Sequence, residues 1–359
     1  MRAELEPPFR AAWDPVPRER FDATLVSVET DEGLVGIGSG DTMDGFEPFI
    51  PLFMGTDPLQ ISRHVRTLET ISFHAGRYWP MEAALWDIIG QACGQPIATL
   101  FGGCLDRLPA YASCGEIKAP EARAESALAL REEGFRALKI RVERDALTEG
   151  IACVQAVRRA VGNSMDILVD LNQAWRMAGD ITPSIDVAAV LPFAEQLREL
   201  GVLWLEEPLA GHDISGLLRL RSVSGVRIAG GEMARTLEDL LRYLEEDTLD
   251  VYQPDVVLAA GMSRVRLIAE LAIARNRWFT PHSWTNGLGL LANLQVAAGV
   301  GGGPYFEYPY DPPGWTPERR DFFLAEPVRI GEDGCVVVPD RPGVGAILDH
   351  DVINRLTIA

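Results

Sequence analysis

The sequence predicts an α/β fold: a barrel of alternating strands and helices behind a smaller α+β module. Three observations lead there. Beyond about residue 107, short strand-like stretches alternate with helix-length amphipathic segments at roughly thirty-residue spacing, the rhythm of βα units on a parallel sheet. Eight such stretches occur, enough for the sheet to close on itself. Nearly every one ends, on its C-terminal side, in a carboxylate, a cation or a histidine, and that is the end at which a TIM barrel gathers its active site. An open, doubly wound sheet is the alternative architecture, and the convergence of polar strand ends favours the barrel.

At 359 residues the chain suits a barrel-sized domain plus a smaller partner. Residues 21–38 read as a hairpin, FDATLVSVE and LVGIG about the turn TDEG, with little chain before the first strand. The cluster GIGSGD does not match GxGxxG. PMEAALWDIIGQACG follows as a helix, with Pro80 at its start and Gly94 at its stop. Residues 1–107 therefore form the α+β module. Residues 108–310 carry the barrel stretches LPAYAS, ALKIRV, DILVDLN, VLWLEEP, VRIAGGE, LDVYQPD, RWFTPHSW and PYFEYPY, with helices such as EARAESALALREEG and TLEDLLRYLEED between them. The run from Gly287 to Gly303 is broken by Asn293 and Gln295 and is rich in glycine, so it reads as a buried helix and its exit and not as a membrane span. Residues 311–359, beginning DPPGWTPERRDFF, read as a tail returning to the first module.

The formal charge of -19 excludes nucleic acid and anionic membrane as natural partners, because neither offers a cationic surface to meet. An anionic small-molecule substrate then needs positive charge placed locally. The five cysteines have no CxxC spacing, which suggests neither a disulfide framework nor a zinc site and fits a reducing cytoplasm. The start, MRAELEPPFRAAWDP, lacks the apolar stretch of a secretory signal.

Local positive charge appears in LKIRV, where Lys139 and Arg141 share one strand face and Leu138, Ile140 and Val142 the other. In isolation this is an edge strand in water. Inside a barrel it is a cationic patch facing three acids at consecutive strand ends: Asp170 in ILVDLN, Glu206 in WLEEP and Glu232 in AGGEM. Three unpaired carboxylates would repel one another in a partly desolvated mouth, and a divalent cation resolves the conflict. With no Cys or His among them, all-oxygen ligation points to Mg²⁺, with Mn²⁺ as the alternative. Strand alternation turns Glu207 away from the interior, so Glu206 is assigned as the ligand. Asp255 in YQPD and His282 in TPHSW end the sixth and seventh stretches; a carboxylate beside an imidazole fixes its tautomer and raises its basicity, making a general acid/base pair. His64, His74, His212 and His350 lie off the strand ends and read as structural. Glu307 in YFEYP reads equally as a rim charge or, if protonated, as a donor to a substrate or enolic oxygen.

The order Lys-x-Arg, Asp-x-Asn, Glu-Glu-Pro, Gly-Glu, Asp, His and Glu on the second to eighth strands resembles the mandelate racemase subgroup of the enolase superfamily. MEAALWDIIGQACGQPIATLFGG looks like the helix and linker that join that family's capping domain to its barrel, so the likeness runs from about residue 21 to 310. It implies a (β/α)7β TIM-like barrel with an α+β capping domain formed by the N-terminal segment and the C-terminal tail. It also implies one Mg²⁺ on Asp170, Glu206 and Glu232, Asn172 at the substrate, and abstraction of a proton alpha to a carboxylate. A homo-oligomer, dimer or octamer, is implied as well. In racemases of this subgroup the second cation of the strand-two pair is a lysine able to act as a base; here it is Arg141, which is always charged and makes a poor base. Lys139 keeps a base role open, and His282 is the better candidate. One competent face suits dehydration of a sugar acid, an aldonate or aldarate, to a 2-keto-3-deoxy acid. A racemase, epimerase or cycloisomerase is the alternative, and a catalytically silent sugar-acid binding protein is a third, weakened by the joint presence of metal ligands and the Asp255–His282 pair. The substrate is expected to be chosen by the cap loops PPFRAAWDPVPRER and SGDTMDGFE.

Overall fold

The computed structural model describes residues 1–358. The chain opens with two antiparallel pairs, β1 (Arg2–Phe9) with β2 (Arg18–Asp22) and β3 (Leu25–Glu29) with β4 (Val35–Ser39). Helices α1 (Ile61–His74) and α2 (Trp79–Cys93) complete this cap. Eight strands follow in parallel: β5 (Arg107–Ser113), β6 (Ala137–Arg141), β7 (Asp166–Asp170), β8 (Trp204–Glu206), β9 (Arg227–Gly230), β10 (Val251–Tyr252), β11 (Trp278–Phe279) and β12 (Phe306–Pro309). Each of the first seven is followed by a helix, and the sheet order β11-β10-β9-β8-β7-β6-β5-β12 curls until β12 pairs with β5. The remaining seam between β11 and β12 is bridged by single bonds: Phe279 N–H donates to Gly302 O at 3.4 Å and Thr280 Oγ1–H to Tyr305 O at 3.1 Å.

Strand alternation divides the barrel residues into two sets. Leu138, Ile140, Ile167, Val169, Leu205 and Ile228 face the surrounding helices in the main core. Tyr111, Ala137, Leu168, Trp204, Ala229 and Val251 form a separate apolar cluster that plugs the interior. Two residues further along the same inward face come Ser113, Lys139, Asp170 and Glu206, so the lumen changes from apolar to charged within one pleat. The plug keeps water from entering below the charged layer.

Two expectations for the cap change. Residues 21–29 are not one strand: the chain breaks at Ala23–Thr24, and Phe21 and Asp22 pair with β1 while Leu25–Glu29 pair with β4. The stretch before residue 10 is a strand, with Leu5 and Phe9 buried. Pro7 and Pro8 lie where the β1–β2 register shifts between Glu4 and Phe9, a bulge at which a missing N–H breaks no ladder bond. Two adjacent prolines thus conceal the strand in the sequence. The glycine-rich GIGSG has a packing role: a Cβ at Gly36 would stand 2.1 Å from Ala84 O, and one at Gly38 2.0 Å from Pro80 O, so bare backbone is what lets β4 lie on α2.

Helix Gly287–Val300 is buried in all but its last residue, and among the described residues no helix is long and apolar enough to cross a membrane. The tail touches barrel and cap alike. Strand β13 (Cys335–Val337) pairs antiparallel with β5, Trp315 packs on Phe9 and Phe21, and Val344 N–H donates to Asp87 of α2 at 2.7 Å.

Asp311 ties the end of β12 to the exit of β5. Its carboxylate accepts Gly115 N–H at 3.1 Å, Glu116 N–H at 2.9 Å, Lys118 Nζ at 2.7 Å and two N–H groups of the fully buried Arg123 at 3.0 Å. Burial opposes its charge, but Arg123 and Lys118 outweigh burial and lower its pKa. A depressed carboxylate pKa adds stability above the unfolded value of about 3.9 that is lost as pH falls through the folded value. Asp311→Asn should therefore cost about 3–5 kcal/mol in urea denaturation at neutral pH, by stranding the buried Arg123, and the deficit relative to wild type should shrink in acid below pH 4.

Candidate active site

The charged layer is assembled from residues at or just past the C-terminal ends of the barrel strands. Asp170 and Glu206 are the last residues of β7 and β8, and Glu232 lies two beyond β9. One carboxylate oxygen from each lies within 4.8 Å of the others, and all three side chains are buried. Lys139 Nζ stands 3.3 Å from Asp170 Oδ2 and 2.7 Å from Glu307 Oε1, and it also bonds Glu206 Oε1. Burial and the Arg141 charge oppose the ammonium, but Glu206, Glu307 and Asp170 outweigh them and raise its pKa. These contacts favour the ammonium form of Lys139.

Arg141 bonds Asp170 Oδ2 and donates to Asn172 Oδ1 at 2.9 Å and to Cys114 O at 3.2 Å. Its guanidinium carbon lies 4.9 Å from the Trp13 ring centroid and 5.8 Å from that of Trp284. These two rings meet edge to face at 4.9 Å, so the guanidinium is fixed by an aromatic wall as well as by hydrogen bonds. Asn172 takes a left-handed conformation with φ 48°, and its N–H donates to Asp170 Oδ1 at 2.7 Å.

Glu206 Oε2 accepts Trp204 Nε1–H at 3.1 Å and Gln253 Nε2–H at 2.8 Å, and burial together with Asp170 pushes its carboxyl up to about 7. Glu232 Oε1 accepts Trp175 Nε1–H at 2.8 Å, whereas its Oε2 is buried with no hydrogen-bond partner among the described residues. Glu207 lies outside the cluster of three, as alternation requires, yet it is buried and not solvated: neither oxygen has a partner among the described residues, and burial followed by Glu232 raises its pKa well above the carboxylate range.

His282 and Asp255 meet as expected, with Nδ1 and Oδ2 2.9 Å apart. Asp255 Oδ1 is itself held by Val257 N–H at 2.8 Å and Asn293 Nδ2–H at 3.1 Å, so the carboxylate is oriented before the imidazole docks on it. The other ring nitrogen, Nε2, lies 3.6 Å from Glu232 Oε2. Burial opposes the imidazolium, but Glu232, Glu307 and Asp255 outweigh it and raise the ring to about 9. Of the two readings of Glu307, its contacts favour the charged one. Burial alone would raise it, yet Lys139, His282 and Arg141 bring it down to about 2, and its oxygens accept Ser113 Oγ–H and Ser283 N–H, each at 2.7 Å.

Of the remaining histidines, His64 is buried in the cap against Asp57 O at 2.9 Å, while His74, His212 and His350 are exposed. Several residues at the site went unread in the sequence. Trp204 and Gln253 carried a signal, since each lies two residues before an assigned acid and so shares its strand face or exit. Trp13 lay within the expected cap loop and Trp284 two residues past His282, but neither was singled out, and Trp175 carried no signal, because a loop brings it in.

An acid cluster that could hold a metal ion, a pinned cation pair and a carboxylate-held histidine at the C-terminal mouth of a capped barrel define an enzyme site. Residues 2–102 match the family model described as mandelate racemase / muconate lactonizing enzyme, N-terminal domain, and residues 122–352 match enolase C-terminal domain-like. The chain belongs to the mandelate racemase subgroup of the enolase superfamily. It is 30% identical, over 94% of its own length and 92% of the other, to a 3,6-anhydro-alpha-L-galactonate cycloisomerase of Streptomyces coelicolor. An arabinonate dehydratase of Saccharolobus solfataricus is 29% identical over 77% of this chain and 70% of that one. The crystal structure of a racemase from Streptomyces coelicolor A3(2) with bound magnesium superposes with a TM-score of 0.82 at 28% identity, covering 99% of this chain and 97% of that one.

Removing the ammonium at the centre of the cluster should leave its carboxylates uncompensated. Lys139→Met is expected to destabilise the protein by about 3–5 kcal/mol in urea titration, with part of the loss recovered by adding Glu307→Gln. His282 supplies a pH signature in chelator-treated protein. Its pKa is raised on folding, so its contribution is complete below about pH 6.5 and is lost as pH rises through about 9. The melting temperature of wild type should fall across that window more steeply than that of His282→Asn.

Proposed function

We propose that the chain removes the proton alpha to the carboxylate of a sugar acid, aldonate or aldarate, and expels the neighbouring hydroxyl as water, giving a 2-keto-3-deoxy acid. The observation that carries this reading is the asymmetry of its proton acceptors. Lys139 and Arg141 are engaged by carboxylates that favour their charged forms, while His282, oriented by Asp255, presents its second ring nitrogen at the cluster's edge without a hydrogen bond. Inverting a carbon centre needs a working base on each face. Dehydration needs one.

Asp170, Glu206 and Glu232 are the residues that would hold Mg²⁺, or Mn²⁺ in its place. Their all-oxygen donor set suits a hard cation, and the unpartnered, buried Oε2 of Glu232 supports the fit. When bound there, the cation supplies Lewis-acid stabilisation of negative charge developing on the substrate carboxylate. Lys139 and Arg141 add fixed positive charge beside it, pre-oriented in a site closed to water. Asn172, beside Arg141, would hydrogen-bond the substrate. With the charge of Glu232 engaged by a cation, the field that raises His282 would weaken, and the neutral ring's Nε2 then takes the alpha proton as the C–H bond breaks, Asp255 holding the Nδ1–H. The imidazolium then gives that proton to the beta hydroxyl, whose C–O bond breaks to release water, and the enol product tautomerises to the ketone. A cycloisomerase on the same site is the second reading, favoured by the name of the 30%-identical relative; it begins with the same proton abstraction.

Product analysis over a library of aldonic and aldaric acids tests the reaction. A 2-keto-3-deoxy acid is expected, whereas an epimer carrying solvent deuterium at C2 would overturn the one-base argument. Saturating Mg²⁺ should raise the melting temperature of wild type, corresponding to about 2.7 kcal/mol at a hundredfold excess over Kd. Glu206→Gln and Glu232→Gln should abolish that shift and Glu207→Gln should retain it; the reverse pattern would place the ligand at Glu207.

A further inference from the structure

Arg141 and Asn172 also line a cavity of about 730 Å³, together with Trp13 of the N-terminal segment and Trp175. Its lining includes two more guanidinium groups, Arg144 and Arg176. Arg144 is three residues past Arg141, at most about 10 Å of chain. Its side chain is only 16% exposed, yet it donates no hydrogen bond among the described residues: Asp145 lies at 3.7 Å and Asp180 at 3.6 Å. Arg176 reaches the same Asp180 at 3.7 Å and otherwise donates to Gln173, Trp175 O and Ser184. Two largely shielded guanidinium groups therefore share Asp180 at more than hydrogen-bond distance, its Oδ1 accepting Thr182 N–H at 2.9 Å; of the other acids on the wall, Asp14 is paired with Arg18 and Glu143 is exposed. Asp145 is 87% exposed, with its charge spent on water. Unfilled donors of this kind on a cavity wall suit an anion, since a guanidinium presents a planar fork that matches a carboxylate.

We propose that Arg144 and Arg176 bind a second carboxylate, at the end of the substrate remote from the reacting carbon, so that this enzyme's substrates are sugar diacids. The inference rests on the reading of the site as acting on a sugar acid. One carboxylate lies at the acid cluster with Lys139 and Arg141, the hydroxylated chain runs past Asn172 between Trp13 and Trp175, and the other carboxylate takes the free donors of Arg144.

The test is calorimetric binding to the Mg²⁺-supplemented protein of matched pairs, glucarate against gluconate and galactarate against galactonate, extended to the stereoisomeric hexarates and pentarates, with C2 deuterium exchange followed in parallel. The best diacid should bind at least tenfold more tightly than its monoacid. Arg144→Ala should weaken that diacid about ten- to a hundredfold, the loss of a charged hydrogen-bonded contact, and leave the monoacid unchanged; Arg176→Ala should act in the same direction. Arg144→Lys, which keeps the charge without the fork, should fall between and serves if the alanine variant folds poorly. Arg144-dependent diacid binding without deuterium exchange or a keto product would uphold the subsite and overturn the reaction. Equal affinity for diacid and monoacid, equal losses for both in Arg144→Ala, no binding across the diacid set, or tighter Arg144-dependent binding of 6-phosphogluconate than of any diacid would overturn the assignment.

Discussion

Everything at the mouth of this barrel depends on balancing buried charge. Lys139 and Arg141 stand among Asp170, Glu206 and Glu307, with Glu232 at the margin, all removed from water. Taking such groups out of solvent is costly, and mutual attraction recovers the cost only with close contacts and few stranded atoms. Here nearly every oxygen and N–H has a partner: Trp204 and Gln253 on Glu206, Ser113 and Ser283 on Glu307, Cys114 O and Asn172 on Arg141. Among the exceptions, which include both oxygens of Glu207 and Oε1 of Gln253, Glu232 Oε2 lies where a hard cation would complete the balance. An arrangement so constrained is already organised for an anionic transition state, since little of it has to move when charge develops.

The scaffold makes the arrangement affordable by dividing its labour within single strands. On β6, Ala137 joins the apolar plug, Lys139 the charged layer, and Leu138 and Ile140 the helix-facing core. A slip of one residue would exchange the two faces and put both cations among helices. The plug and the parallel ladder therefore fix the site's register, while support from outside the barrel fixes its orientation. Asp311 and the buried Arg123 hold the Gly115–Lys118 loop, whose neighbour Cys114 anchors Arg141 and whose neighbour Ser113 bonds Glu307. Trp284 links the same Ser113 to the ring stack of Phe9, Trp13 and Trp315.

That stack carries the cap's contribution to the site. Phe9 ends β1, Trp13 follows it, Trp315 comes from the tail and Trp284 from the barrel, so three distant segments converge on Arg141 through aromatic contact. The cap is in turn bound to the barrel through α2. Glu82 accepts Ser263 N–H at 2.9 Å and Ser263 Oγ–H at 2.6 Å, and Trp79 donates to Ala259 O at 2.8 Å. The wall over the site and the barrel beneath it are thus parts of one continuous packing arrangement.

The sequence by itself determined the alternation of strands and helices, the acids at three successive strand ends, the Lys-x-Arg pair and the Asp–His pair. Each is a short-range pattern, and a period of two on a strand says which face a side chain takes without knowledge of its neighbours. It also separated Glu206 from Glu207, although it did not show that Glu207 would be buried and unpartnered. What only the tertiary structure decided are quantities that depend on who stands next to whom: that the pKa of Glu307 is lowered and that of Lys139 raised by their neighbours, that β1 exists despite its two prolines, and that Trp13, Trp175 and Trp284 reach the site. Protonation states follow from the summed field of groups far apart in the chain, and loop residues carry no periodicity to reveal their contacts. Local pattern thus places the chemical groups on the scaffold, and long-range packing sets the charge each one carries there.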